Sequence, residues 1–312
     1  MRIIGPDEIV FGVDDLEASR QFLLDYGLEL ADWDARGGRF TARDNTAVVI
    51  RHRGDETLPK MLASGATLRQ TVYGVEDTAT LDEIEAEMKK DREVLRSEDG
   101  SISFADDAGF ALRFQLTRRV KIEMEPELVN SPGAPPARPT NKLGAVQDAE
   151  AKPRTLSHIV YFTPDTVKAE KFYCERLQFS VIDRFNGVGP FLRPKSCIDH
   201  HTLFLLPGPP YMQGLEHIAF HMQGPTELML AGSRMIQKGY ESFWGPGRHI
   251  FGSNWFWYFN CPLLTHFEYD ADMDTFDEDW EARTEEAGAE SGQMFLFENV
   301  EKWYPGGKPY DG

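Results

Sequence analysis

The chain has 312 residues, more than one hydrophobic core usually organises, so two domains of roughly 150 residues each are expected. Thirty-three Lys and Arg against 51 Asp and Glu leave a formal net charge of −18, which argues against nucleic acid or an anionic membrane as a partner. The composition, 41% hydrophobic with no apolar run near the ~20 residues of a membrane span, is that of a soluble globular protein. The opening segment lacks a basic stretch followed by an apolar one and a cleavage site, so the cytoplasm is the expected compartment. Cys174, Cys197 and Cys261 are too few and too scattered for a disulfide framework or a CxxC metal site, and read as reduced.

From Glu8, the stretch EIVFGVDDLEASRQFLLDYGLELAD reads as strand, turn, helix and strand. Ile9 and Phe11 alternate as in a strand, Asp14 and Asp15 can cap the helix, and Gly27 can end it. A second unit opens at Leu68 with LRQTVYGVED, continues into an amphipathic helix over 81–90, and closes with the strand-like GFALRFQL over 109–116. Residues 1–125 thus read as an N-terminal pair of modules, followed by a connector over 126–154 rich in proline, glycine and alanine. From His158, HIVYFTPDTVKAEKFYCERLQFSVID repeats the first unit at an offset of 150. LEHIAFHMQG, from Leu215, repeats the second, with a helix over 226–238 and a last strand, LLTHFEYD, over 263–270.

Four units of strand, helix and several strands predict an α+β fold of two open barrels, whose inner faces can hold a ligand. The second pair is expected to span 155–290, with a C-terminal tail over 291–312. Residues 270–290 contain ten acidic side chains and one basic one, Arg283, and read as a solvated helix or extended arm after the last strand.

Seven of the eight histidines, all but His52, fall between positions 158 and 266. The repeat allows equivalent positions to be compared within one chain: His158, His217 and Glu268 in the second half correspond to Glu8, Gln70 and Arg113 in the first. Two histidines and a carboxylate from three strands of a curved sheet can converge on one divalent metal and leave adjacent coordination positions open. The first half, with glutamine and arginine in two of those places, cannot build that site. A single histidine on a strand is ordinarily structural, and it is the joint placement that points to a metal. The spacing His217-x-x-x-His221 could suggest a zinc helix, but the segment is rich in strand formers, and a strand would hold the two rings about 13 Å apart. His221 and His266 are therefore read as structural. Alternation on a strand lets only one of the neighbours His200 and His201 face a metal.

The segments LSHIVYF, DHHTLFLL, GLEHIAF, GRHIFGSNWFWY and THFEYDADMD resemble the type I extradiol ring-cleavage dioxygenases of the vicinal oxygen chelate superfamily, which are built from paired βαβββ modules. The resemblance is strong over 156–280 and only architectural over 1–120. It implies a site-less N-terminal domain and a catalytic C-terminal one with His158, His217 and Glu268 as metal ligands. Fe(II) is the usual metal of the family and Mn(II) the minority one. The implied partners are a catechol and O2, both of whose atoms enter a muconic semialdehyde-type product, and the implied assembly is a homo-oligomer. The resemblance further assigns His201 as the acid/base histidine beside bound oxygen, and His249 and Tyr258 as hydrogen-bond partners of the substrate oxygen, with His200 structural or supporting.

Phe243, Trp244, Phe251, Trp255 and Trp257 cluster around the GRH segment. Trp244 and Phe251 are expected at the substrate, which favours a catechol with an apolar or aromatic substituent. Arg193, together with Arg248, is the expected anion contact. Two other readings share the fold: a glyoxalase-type isomerase or thiol transferase, which commonly needs a fourth protein ligand, and a non-catalytic protein that binds small aromatics, which needs no His201, His249 and Tyr258.

Overall fold

In the computed structural model, which describes residues 1–146, 148–288 and 291–297, the repeat resolves into four copies of one unit of strand, helix and three strands. The first is β1 (Ile3–Val13), α1 (Leu16–Asp25), β2 (Glu29–Asp34), β3 (Gly37–Thr41) and β4 (Ala47–His52). The second is β5 (Leu68–Val75), α2 (Thr78–Met88), β6 (Leu95–Arg96), β7 (Ile102–Ala105) and β8 (Ala111–Leu116). The third is β9 (Thr155–Thr163), α3 (Thr166–Lys171), β10 (Phe179–Asn186), β11 (Gly189–Pro194) and β12 (Leu203–Pro207). The fourth is β13 (Gly214–His221), α4 (Pro225–Gln237), β14 (Ser242–Arg248), β15 (Trp255–Asn260) and β16 (His266–Ala271), after which come β17 (Arg283–Glu286) and β18 (Phe295–Leu296).

Three of the helices start alike. Asp15, Asp77 and Asp165 accept hydrogen bonds at 2.8, 2.8 and 2.9 Å from the backbone N–H three residues on, satisfying donors that a helix start leaves open. The fourth helix instead begins with Pro225, whose fixed φ suits the first helical position.

Each half forms one sheet, in the orders β2-β3-β4-β1-β5-β8-β7-β6 and β17-β10-β11-β12-β9-β13-β16-β15-β14-β18. The first strands of paired units meet antiparallel in the middle. The acidic stretch after β16 is an extended arm, part of which joins the sheet edge as β17 in parallel with β10. The described residues between β8 and β9 form no helix or strand; they run past α4, where Glu127 accepts from the Thr226 N–H at 3.0 Å. No helix of the described residues is long and apolar enough to cross a membrane.

Register decides which residues are equivalent. Glu8 faces Val72, which neighbours Arg113, just as His158 faces Ala219, which neighbours Glu268. Val10 faces Gln70 as Val160 faces His217. In the first half these places are filled by ion pairs: Glu8 lies 3.4 Å from Arg39 and 3.8 Å from Arg118, and Arg113 lies 2.6 Å from Asp99.

The two sheets share a continuous apolar core. Tyr26, at the end of α1, stacks on Tyr269 of β16 with ring centroids 4.1 Å apart. Its hydroxyl donates to the Glu268 carbonyl at 2.6 Å, while its own carbonyl accepts from the Tyr269 hydroxyl at 2.7 Å. In the other direction, Tyr173, in the π-helical turn that continues α3, donates to Asp106 Oδ2 at 3.3 Å. The backbone of a strand in the second sheet is thus held in place by a helix of the first half. Tyr26→Phe removes a buried hydrogen bond to that strand and should lower the unfolding free energy by about 1–2 kcal/mol. Urea denaturation would show this as an earlier midpoint, and an unchanged midpoint would mean that the stacked rings suffice.

Candidate active site

Three neighbouring strands each bring one donor to the same place: His158 from β9, His217 from β13 and Glu268 from β16. His158 Nε2 lies 3.2 Å from His217 Nε2 and 3.0 Å from Glu268 Oε2, and His217 Nε2 lies 3.3 Å from that oxygen. The donor atoms of the three residues all fall within 4.8 Å of one another. Glu268 is 0% exposed, yet neither of its carboxylate oxygens accepts a hydrogen bond. Burial pushes this carboxyl up, but the positive field of His158 and the contacts with His158, His217 and His249 outweigh it and hold the group well below the usual carboxylate range. A dry, ionised carboxylate facing two imidazole nitrogens suits a divalent cation, which would satisfy both of its unbonded oxygens.

The next layer fixes which nitrogens face inward. In β13 the register shifts between Leu215 and His217, and this bulge brings Glu216 round to the side of its neighbour, against simple alternation. Glu216 bonds to His217 Nδ1 through one oxygen and lies 3.0 Å from His266 Nδ1 through the other. On the other ligand, Ser157 Oγ donates to Asp270 Oδ2 at 2.8 Å and lies 2.9 Å from His158 Nδ1. Its hydroxyl proton being committed to the carboxylate, Ser157 accepts from the His158 Nδ1–H. Both imidazoles therefore present Nε2 to the cluster.

His158 and His217 line a cavity of about 120 Å³, the volume open to the centre of a water molecule. Its walls come from two apolar clusters, one with Val160, Phe191, Phe204 and Phe251, the other with Phe243, Trp244 and Tyr258. His201 and His249 also line it. The His201 ring lies 4.2 Å from that of His158, centroid to centroid. Burial, then the nearby imidazoles of His158 and His200, hold His201 well below the usual histidine range, which keeps it neutral. His249 donates through Nδ1 to the Gly292 carbonyl at 2.7 Å, leaving Nε2, 3.1 Å from the Tyr258 hydroxyl, as an acceptor. Burial, reinforced by the carboxylates of Glu268 and Glu216, pushes the Tyr258 hydroxyl well above the usual phenol range, so it keeps its proton.

Trp244 and Phe251 lie in the cavity wall, but Arg193 does not. Its guanidinium bonds to the carbonyls of Cys197 and Asp277, in a separate recess beside Trp280. The turn after β11 and the acidic arm supply those carbonyls, and they draw the side chain away from the site. Arg248 pairs with Asp272 at 2.8 Å instead. Among the described residues that line the cavity, none is Lys or Arg.

His221 pairs with Asp270 at 2.6 Å and His266 stacks on Phe243, and neither lines the cavity. Asn254 lines it unforeseen: it is 0% exposed with neither side-chain atom bonded, and so is free to meet a polar atom of a bound molecule. Ser291 and Gly292, which the sequence reading places in a tail, also line the cavity, because β18 pairs with β14 and returns this segment to the sheet. The rest of that tail, 298–312, lies outside the described residues.

Paired βαβββ modules around a three-donor pocket are the arrangement that the resemblance to the vicinal oxygen chelate superfamily implies. Residues 155–272 match the family model described as Glyoxalase/Bleomycin resistance protein/Dioxygenase superfamily. Over 147 residues the chain is 35% identical to metapyrocatechase 2 of Cupriavidus necator, a match that spans 46% of this chain and 45% of the relative. Solved structures share the fold along nearly the whole chain. A Mn(II)-bound glyoxalase from Novosphingobium aromaticivorans superposes with a TM-score of 0.74 at 23% identity, covering 94% of this chain and 91% of its own. A 2,3-dioxygenase from a Pseudomonas species gives 0.70 at 19%, covering 91% and 98%.

Mn(II) or Fe(II) added without oxygen should raise the thermal midpoint of the parent chain, since metal at one hundred times its Kd adds about 2.7 kcal/mol of stability. The same addition should leave Glu268→Gln unmoved. An equal rise in both would place the metal elsewhere.

Proposed function

We propose that the chain is an extradiol dioxygenase that opens the ring of a catechol next to its two hydroxyls, adding both atoms of O2 and consuming no external reductant. The observation that carries this reading is the buried cluster of His158, His217 and Glu268 beside an aromatic cavity lined by His201, His249 and Tyr258. Fe(II), or Mn(II) in its place, held by those three residues would acidify a catechol hydroxyl and couple the electron-rich ring to dioxygen.

The chain's own groups do the rest. Tyr258, which keeps its proton, donates to the deprotonated substrate oxygen. His249, with Nδ1 tied to Gly292, offers Nε2 to the proton that this oxygen gives up and then returns it as a hydrogen bond. The two together fix the ring's orientation. His201, neutral beside His158, takes up a proton and delivers it as the O–O bond of the co-substrate breaks. The aromatic walls exclude water from these transfers.

The same walls select the substrate. With no Lys or Arg among the described lining residues, a carboxylate on the ring would be buried without a guanidinium or ammonium partner among them, at a cost of several kcal/mol. An alkyl- or aryl-substituted catechol fits instead. Glyoxalase-type chemistry commonly uses a fourth protein donor, and the cluster among the described residues has three.

The test is to load the protein with Fe(II) without oxygen, add a panel of catechols, admit air, and record oxygen uptake and the coloured ring-fission product. One O2 should be consumed per catechol, and no uptake with any catechol at stoichiometric iron would refute the reading. His201→Ala should keep its iron and lose about 100-fold or more in kcat; loss of the iron would make His201 a ligand. Across the panel, kcat/KM for alkyl or aryl catechols should exceed that for carboxylated ones by about 100-fold, as expected when a charge is buried unpaired. Equal values would mean that the substituent points out of the cavity.

A further inference from the structure

Two features of the sequence have no part in the chemistry above: His200, beside the acid/base histidine, and Arg283, the single base in the acidic arm. The structure joins them in one buried chain. Arg283, in β17, binds Asp183 of β10, with the carboxylate 3.1 and 3.2 Å from Nε and a further contact through Nη2. Asp183 Oδ2 lies 2.8 Å from His200 Nε2, and His200 Nδ1 lies 2.9 Å from His201 Nδ1. Asp183 and His200 are both 0% exposed.

We infer that Asp183 and His200 position the acid/base histidine by fixing its tautomer, so that His201 carries its proton on Nδ1 and presents a bare Nε2 to the cavity. The inference rests on reading His201 as the acid/base group. Asp183 is held ionised by the guanidinium of Arg283 and can only accept, so His200 Nε2 carries a hydrogen. A cationic His200 would add a second buried positive charge to a carboxylate already neutralised by Arg283, and burial also lowers the ring's affinity for a proton. His200 is therefore neutral and its Nδ1 is an acceptor. The only hydrogen that can lie between the two Nδ1 atoms then belongs to His201. Its remaining nitrogen, Nε2, is the one that can take up and hand over a proton.

The arm holds this chain in place. The His200 N–H donates to the Asp274 carbonyl at 2.9 Å, Asp274 N–H donates to the Gly252 carbonyl at 2.7 Å, and the Arg283 guanidinium lies 4.9 Å from the centre of the Phe251 ring in the cavity wall. The acidic arm thus acts as a brace for the histidine that moves protons.

The experiment is ¹⁵N NMR of the histidine rings in the full chain, metal-free and loaded with diamagnetic Zn(II), with the His201 signals identified by their loss in His201→Gln. In the parent, His201 should show a protonated Nδ1 and a bare Nε2. His200→Leu removes the acceptor, so His201 should shift to a mixture or to the Nε2–H form. With Fe(II) and a catechol, kcat should fall at least about 10-fold, a part of what positioned proton transfer contributes, while KM and iron content stay within about two-fold. His200→Gln, which keeps an acceptor, should recover most of kcat.

A parent His201 protonated on Nε2, or a tautomer unchanged in His200→Leu, would overturn the inference. Should His200→Leu fail to fold by circular dichroism, Asp183→Asn gives the same reading, since it frees His200 to turn its other tautomer toward His201. Full ring cleavage in His201→Gln would fault the reading of His201 itself. The ring spectra do not depend on turnover, so the two failures are distinguishable.

Discussion

The site is organised around the charge of Glu268. A carboxylate removed from water without hydrogen-bond donors is tolerated only when something positive replaces the lost solvation. Here that falls to two imidazoles from adjacent strands and to whatever cation they hold with it. Everything nearby serves to keep those three groups aimed at one another. Glu216 and Ser157 set the tautomers of the two histidines, and Tyr26 clamps the Glu268 backbone from the opposite half of the molecule. Strands supply the stiffness such a cluster needs, because each donor's direction is set by the pleat and by the pairing of its neighbours.

The same scaffold occurs twice, with different contents. In the first half, Glu8, Gln70 and Arg113 stand where His158, His217 and Glu268 stand in the second, and the ion pairs of Arg39, Arg118 and Asp99 occupy their surroundings. Fixed side-chain pairs substitute there for a cation. That half still touches the site's scaffold, since the aromatic contact of Tyr26 with Tyr269 places part of the second sheet's support outside its own domain. The duplication therefore separates roles without separating the halves.

Much of this was legible in the residues, for identifiable reasons. The offset of 150 exposed the repeat, and the repeat exposed the three donors by comparison with their counterparts; pairing in both sheets then assigns Arg113 opposite the role of Glu268. What lay beyond the sequence depended on long-range contacts or on broken periodicity. Glu216 neighbours His217, and alternation would send it to the other face; only the bulge in β13 brings it back. Asp183 and Arg283 are a hundred positions apart and meet through an edge strand that composition alone renders as solvated charge. Arg193 was misplaced for the converse reason: its charge suggested an anion, but backbone carbonyls nearby satisfy it. That no described residue lining the cavity is Lys or Arg is itself a property of the folded chain.

On the proposed reading, the three buried donors hold one metal whose remaining positions face an aromatic cavity. Crystals loaded with Fe(II) and an alkylcatechol without oxygen, measured for anomalous scattering at the iron edge, would locate that metal. One iron should lie between His158, His217 and Glu268, with both catechol oxygens on it and the alkyl group among Phe191, Phe204 and Phe251. Iron found elsewhere, or closed off by a fourth side chain, would contradict it.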